Sequence, residues 1–146
     1  MTYKVVIVNS KRTFPIKGLN ELLSGRLYNF RTKKYHNPVK AENDKVCLKA
    51  IKKHIPNVKI DKPIKCTYWI YAENKRHDRG NLCCAVEKSF LDALQLAKVI
   101  SNDGWDDVYD SEFHTDIDKE NPRVEVLIEV MEQEDDYESY IAERND

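Results

Sequence analysis

The chain has 146 residues, of which 34% are charged and 41% are apolar, and its longest aliphatic run is residues 5–8. This composition fits one soluble domain with its own core and excludes an integral membrane protein, which needs roughly 20 consecutive apolar residues per span. The net charge of −1 hides a division between a basic part, residues 1–81, with 19 Lys and Arg against 6 Asp and Glu, and an acidic part, residues 82–146, with 5 against 19. The basic part could bind nucleic-acid phosphates, whereas the acidic part could either bind hard cations or keep nucleic acid away from other surfaces.

The N-terminus and the cysteines favour the cytosol. Residues 1–9 (MTYKVVIVN) lack the apolar stretch and cleavage site of a signal peptide. The four cysteines show no CxxC spacing, so we expect buried thiols, with a zinc site as the alternative. They are Cys47, Cys66, Cys83 and Cys84.

The basic part of the chain predicts two strands and two helices. Period-two alternation and β-branched residues predict strands, whereas a period of 3.6 predicts helices. In chain order we expect a strand at 2–8, a helical segment at 18–27, a basic loop at 26–36, a helix at 39–54 and a strand at 63–73.

The acidic part predicts one helix and two strands. We expect a helix at 81–100, strands at 108–117 and 123–130, and an acidic tail at 131–146 that is a short helix or disordered. The fold class is therefore α/β (α+β): a single domain, residues 1–130, with a mixed β-sheet packed against helices, followed by the tail.

The helix predicted at 81–100 carries an unusual polar stripe. At 100° per residue, Lys88 and Asp92 each lie about 20° from Asn81 on the helical wheel, away from the apolar stripe. Asp78 precedes this helix and Asp103 follows it. In one interpretation, Asp78 or Asn81 caps the helix, Lys88 and Asp92 form an exposed ion pair, and Asp103 lies in a turn. In the other, these residues form a metal site in which Lys88 holds a phosphate.

Several short motifs, in the same order along the chain, resemble the RusA-like Holliday junction resolvases carried by phages and prophages. The family's hallmarks are D-x-D-N, a helix with K-x-x-x-D-A-L, and a following D-D or N-D pair. The matching segments here are 78–81 (DRGN), 88–94 (KSFLDAL) and 102–105 (NDGW), with further similarity at 18–21 and 118–123. The resemblance covers roughly residues 14–130.

This resemblance implies a homodimer that binds a four-way DNA junction and nicks it symmetrically with Mg²⁺ or Mn²⁺. Asp78 and Asp103 would be metal ligands, and Lys88 would lie near the scissile phosphate. Asn81 and Asp92 would support the site, with Asp92 as a further candidate ligand. The expected location is the cytoplasm of a bacterial host.

One departure from the family pattern bears on activity. Gly80 stands where the second aspartate of D-x-D-N is expected. The site could bind metal weakly, could use Asp92 or Glu73 instead, or could have lost catalysis while the protein still binds branched DNA. A possibility of another class is a small phage interaction protein whose acidic tail binds a host factor.

Two groups of basic residues are candidates for DNA binding. The first lies in the loop at 26–36, where cations alternate with aromatic residues that could stack on unpaired bases, unless they pack on the body of the protein. The second group adjoins Asp78. The candidates are Arg26, Arg31, Lys33, Lys34, Lys75, Arg76 and Arg79. We expect His77 to be a surface residue rather than a base, and Trp69 and Trp105 to serve in core or edge packing.

Overall fold

The computed structural model describes residues 1–132 and 141–143. Most of the predicted acidic tail, residues 133–140 and 144–146, lies outside the described residues. The described elements are β1 (Thr2–Ile7), α1 (Leu19–Ser24), β2 (Leu27–Asn29), β3 (Lys34–His36), α2 (Pro38–His54), β4 (Ile64–Ala72), α3 (Arg79–Leu96), β5 (Val108–Ile117) and β6 (Arg123–Val130).

Four strands form one mixed sheet in the order β1-β6-β4-β5. β4 pairs in parallel with β5, from Ile64 opposite Val108 to Ala72 opposite Ile117, and antiparallel with β6. β1 pairs antiparallel with β6. Parallel strands need a crossover connection, and α3 lies within the one between β4 and β5. The predicted mixed sheet is confirmed, with β1 and β5 as its edge strands.

One face of the sheet and the helices form the hydrophobic core. Alternate residues of β4, β6 and β1 are buried, as a period of two requires. From α3, residues of the predicted apolar stripe fill the same core, including Val86, Phe90 and Ala93. α2 contacts both α3 and β1. Within the described part of the chain, no helix has both the length and the apolar character that crossing a membrane requires.

α3 ends four residues before the predicted end at Ile100. Lys98 adopts a left-handed backbone conformation, with φ of 60°, and this ends the helix after Leu96. Val99 and Ile100 are nevertheless buried. The apolar period therefore continues past the helix, which is why the sequence predicts a longer one.

Residues 26–36 form a β-hairpin rather than the predicted loop. β2 and β3 pair antiparallel, with Tyr28 opposite Tyr35. The side chain of Asn29 accepts two backbone N–H groups of the turn, at 2.9 and 3.2 Å, and Lys33 takes a positive φ of 57°. The turn contains no glycine, so the usual sequence signal for a hairpin is missing.

The cysteines are free thiols of unequal exposure. Cys47 and Cys66 are buried, as expected, and burial raises the pKa of each thiol to about 12. Cys83 is half-buried and Cys84 is exposed, so the expectation of burial is wrong for Cys84.

Candidate active site

A cleft of about 640 Å³ lies where the carboxyl ends of β4 and β5 meet the start of α3. The buried side chains of Ile70, Ala72 and Leu82 contribute its apolar lining. The carboxyl end of parallel strands is the usual place for a ligand in α/β folds. Polar side chains also line the cleft, and they include Asn74, Lys75, His77, Asp78, Arg79 and Asp116.

Asp78 lines the cleft as the N-cap residue of α3. Its Oδ1 accepts the backbone N–H of Asn81 at 3.0 Å, so the predicted cap is confirmed. Such a cap contributes about 1 kcal/mol to stability. The side chain is exposed, and a carboxylate has about four lone-pair positions. Capping α3 is therefore compatible with a second role for Asp78.

Segments 18–21 and 78–81, which both carry the resemblance, meet at the start of α3. Gly18, the N-cap residue of α1, lies against Asn81 and Leu82, and a Cβ on Gly18 would be 3.9 Å from the Cβ of Asn81. Asn81 is half-buried, and its N–H is bonded to Asp78. This location suits the supporting role predicted for Asn81.

Asp103 lies at the other end of α3, which has 18 residues and is therefore about 27 Å long. Its loop leads into β5, and the carbonyl of Asp107 in that loop accepts the N–H of Ile64, the first residue of β4. Asp78 instead follows Ala72, the last residue of β4. Within a single chain the two aspartates therefore lie at opposite ends of α3, and their roles as ligands stay a prediction.

The stripe of α3 takes part in packing against α2. Oδ2 of Asp92 lies 2.8 Å from Nζ of Lys40 and 3.5 Å from Nζ of Lys88, and Lys40 also pairs with Asp44. Burial lowers the pKa of the Lys40 ammonium, but its hydrogen bonds to Asp44 and Asp92 outweigh burial and raise it. Asp92 thus joins two helices and is poorly placed as a metal ligand. The Lys88 side chain is 63% exposed and so remains accessible to a phosphate.

Glu73 forms a bonded pair with His77 beside the cleft. Nε2 of His77 lies 2.7 Å from Oε1 of Glu73, and Oε2 accepts the N–H of Phe14 at 2.9 Å. Burial raises the pKa of the Glu73 carboxyl, but the hydrogen bonds from His77 and from backbone groups outweigh it and lower the pKa. Because both oxygens are engaged, Glu73 is a poor substitute for the aspartate that Gly80 replaces.

The basic hairpin is exposed along its whole length, residues 26–36. The alternative in which its aromatic residues pack on the body of the protein is wrong. Tyr28 contacts Phe30 and Tyr35 within the hairpin, at centroid distances of 4.8 and 4.9 Å, and Arg26 stacks on Tyr35 at 4.0 Å. Phe30 itself is 85% exposed. Cations and an aromatic ring are thus presented together to solvent.

A single chain does not bring together a complete set of metal ligands in the part that the structure describes. Among residues 1–132 and 141–143, no group of three or more His, Cys, Asp or Glu could hold a metal ion. Asp78 and Asp116 line one cleft, but Oδ1 of Asp116 accepts the N–H of Ile117 at 2.8 Å. A site with Asp78 and Asp103 as ligands would therefore need a second copy of the chain.

No protein-family model matches the chain, and no curated protein matches it either. The similarity to RusA-like resolvases therefore rests on the sequence motifs alone. The first motif begins α3 and the second lies in its later half, whereas the third lies in the loop before β5.

The residues that β5 contributes to the cleft were not predicted from the sequence. Thr115, Asp116 and Ile117 line it because parallel pairing sets the end of β5 beside the end of β4. The alternating pattern of residues 108–117 predicts a strand but does not identify its partner. Lys40 was likewise not predicted as the partner of Asp92, because the crossing of two helices is not encoded in either helix alone.

Proposed function

We propose that the chain is a RusA-like, metal-dependent endonuclease that acts as a homodimer and resolves Holliday junctions and other branched DNA by paired nicks. The observation that supports this most is the cleft at the start of α3, where the exposed carboxylate of Asp78 lies near Lys75 and Arg79. Phosphodiester cleavage needs oxygen ligands for Mg²⁺ or Mn²⁺ and cations for the DNA phosphates. The setting proposed is a bacterial host cell, with a phage or prophage gene.

Because Asp78 and Asp103 lie far apart within one chain, the proposed metal site requires a second copy of the chain. The two residues lie near opposite ends of β5, an edge strand. A twofold axis through the middle of β5 would set the start of one β5 beside the end of the other, because pairing about such an axis is antiparallel. Each of two equivalent sites would then combine Asp78 of one copy with Asp103 of the other, and two sites suit two symmetric nicks.

Each residue of the site would have a distinct task. Asp78 and Asp103 would hold the ion, which when bound supplies a water of lowered pKa for attack on phosphorus. Lys88 would contact the phosphate, and Asn81 would maintain the start of α3. Asp92 would keep Lys88 and α2 in place rather than bind metal.

The direct test is a nicking assay on a four-way junction and on a linear duplex of matched sequence, with Mg²⁺, with Mn²⁺ and with neither. We expect nicking of the junction only when a metal is present, and little nicking of the duplex. Equal binding to branched and linear DNA without nicking would contradict the proposal and favour an interaction protein.

A second candidate is a protein that binds branched DNA without cutting it. Gly80 favours this candidate, because it leaves the D-x-D-N motif one carboxylate short, and Glu73 and Asp92 are both engaged elsewhere. Metal-independent binding of the junction, with no nicks in either metal, would establish it.

Replacing Gly80 with aspartate is expected to strengthen metal binding and to increase nicking, most clearly at low Mg²⁺. The backbone accepts a side chain, since φ of Gly80 is not positive and an added Cβ would meet only Oδ1 of Asp78, at 3.4 Å. A carboxylate in the first turn of α3 is also favoured by the helix dipole. The measurements are Mn²⁺ titration and initial nicking rates.

The control for this substitution is Gly80→Ala, which adds a side chain without a charge. It should raise helix stability by roughly 0.5–1 kcal/mol and leave metal affinity unchanged. If Gly80→Asp folds as well as Gly80→Ala but binds Mn²⁺ and cuts junctions no better than the parent, the missing-ligand explanation is wrong.

A further inference from the structure

Trp105 is 81% exposed, contrary to the expectation that it packs in the core or at an edge. It lies in the loop at 102–107 (NDGWDD), which contains three aspartates and no lysine or arginine. The loop has an ordered turn, because the carbonyl of Gly104 accepts the N–H groups of Asp107 and Val108, each at 3.0 Å. A large apolar ring is thus held at the surface between acidic residues.

The cleft at the start of α3 offers the complementary surface. Its apolar lining extends to Ile117, which is 39% exposed at the end of β5. The cations Lys75 and Arg79 also line it, and Arg76 is exposed in the same segment. The carboxylates of Asp78 and Asp116 line the cleft as well, so three cations stand against two carboxylates around its apolar floor, whereas the Trp105 loop is acidic throughout.

The geometry of β5 relates these two surfaces. The Trp105 loop precedes the first residue of β5, and the cleft includes its last residues. The only partner of β5 among the described strands is β4, so its outer edge can pair with another strand. Antiparallel pairing of two β5 strands centred on Phe113, which is 37% exposed, would set the Trp105 loop of one copy near the cleft of the other.

We propose that Trp105 of each copy packs into the cleft of a second copy, against Ile117, and that this contact closes the dimer. The inference rests on the proposed function, since it names the partner that brings Asp103 to the Asp78 site. Aromatic residues that fill a pocket at the centre of a contact commonly dominate its affinity. Attraction between the acidic loop and the cations at 75–79 would fix the orientation.

The test measures self-association without DNA or metal, by sedimentation equilibrium over a wide range of protein concentration. Trp105→Ala is expected to raise the dimer dissociation constant at least tenfold, and Ile117→Asn is expected to have a similar effect. The double variant should be little weaker than either single variant, because both remove one contact. Phe30→Ala is the matched control: it removes an equally exposed aromatic ring from the hairpin and should leave the dissociation constant unchanged.

Circular dichroism would establish that each variant is folded. An unchanged dissociation constant in Trp105→Ala, additive effects in the double variant, or a wild-type chain that is monomeric throughout would each overturn the inference. Loss of junction affinity without any change in self-association would do the same and would assign Trp105 to DNA stacking. A chain that dimerises through Trp105 but never nicks DNA would instead overturn the proposed function alone.

Discussion

Asp78→Asn and Asp103→Asn are each expected to lower junction nicking at least about 100-fold, since even the loss of a residue that merely supports a metal ligand costs 10- to 100-fold. Junction binding should stay intact or become tighter, because each change removes a negative charge from a site that faces phosphates. Asparagine is as good an N-cap as aspartate, so Asp78→Asn should preserve the start of α3. The measurements are single-turnover nicking rates and gel-shift affinities.

Asp61→Asn is the matched control for these two variants. Asp61 is exposed and precedes β4, so its loss should change neither nicking nor binding. If Asp78→Asn or Asp103→Asn kept full activity in Mg²⁺, its assignment as a ligand would be wrong. If a variant failed to fold, that aspartate would have the structural role of a cap or turn.

Replacing Lys33, Lys34, Lys75 and Arg76 together with glutamine is expected to weaken junction binding strongly and to flatten its dependence on salt. All four side chains are exposed, two in the hairpin and two beside the cleft. Each phosphate contact contributes about 0.9 to the slope of log affinity against log salt, so the slope should fall by up to about 3.6. The measurement is a series of gel-shift titrations at increasing salt concentration.

Lys52→Gln with Lys53→Gln provides a control of the same chemistry. These lysines are exposed at the carboxyl end of α2 and are not among the residues proposed to bind DNA. The comparison is with a variant in which only Lys33 and Lys34 are replaced with glutamine. Loss of Lys52 and Lys53 should change the slope of log affinity against log salt much less than loss of Lys33 and Lys34. If the two double variants show the same slope, the hairpin makes no specific contribution to junction binding.

Most of the fold could be predicted because local patterns determine it. Period-two alternation identified β4, whose even-numbered residues from Ile64 to Ala72 are all buried, and period 3.6 identified α2 and α3. Two elements differed from prediction for local reasons. The left-handed conformation of Lys98 ends α3 early, and the hairpin turn is closed by Asn29 and Lys33 without a glycine.

The candidate site was only partly predictable, because its parts come from different elements. The cap by Asp78 and the pair of Lys88 with Asp92 are contacts within one helix, so spacing alone indicates them. The distance between Asp78 and Asp103 depends on the direction of β5 relative to β4, which neither strand encodes. The parallel pairing separates these two residues and gives the second copy its proposed role.

The most direct test of a site shared between two copies is to mix the Asp78→Asn and Asp103→Asn variants. In a mixed dimer, one site would combine both substitutions, whereas the other would combine the native Asp78 of one copy with the native Asp103 of the other. We expect mixing to restore nicking to about a quarter of the wild-type number of active sites, because random exchange makes half of the dimers mixed and each has one intact site. The restored activity should give single nicks rather than paired ones. If two folded, dimeric variants exchange subunits and the mixture is no more active than either alone, Asp78 and Asp103 do not act together across two copies.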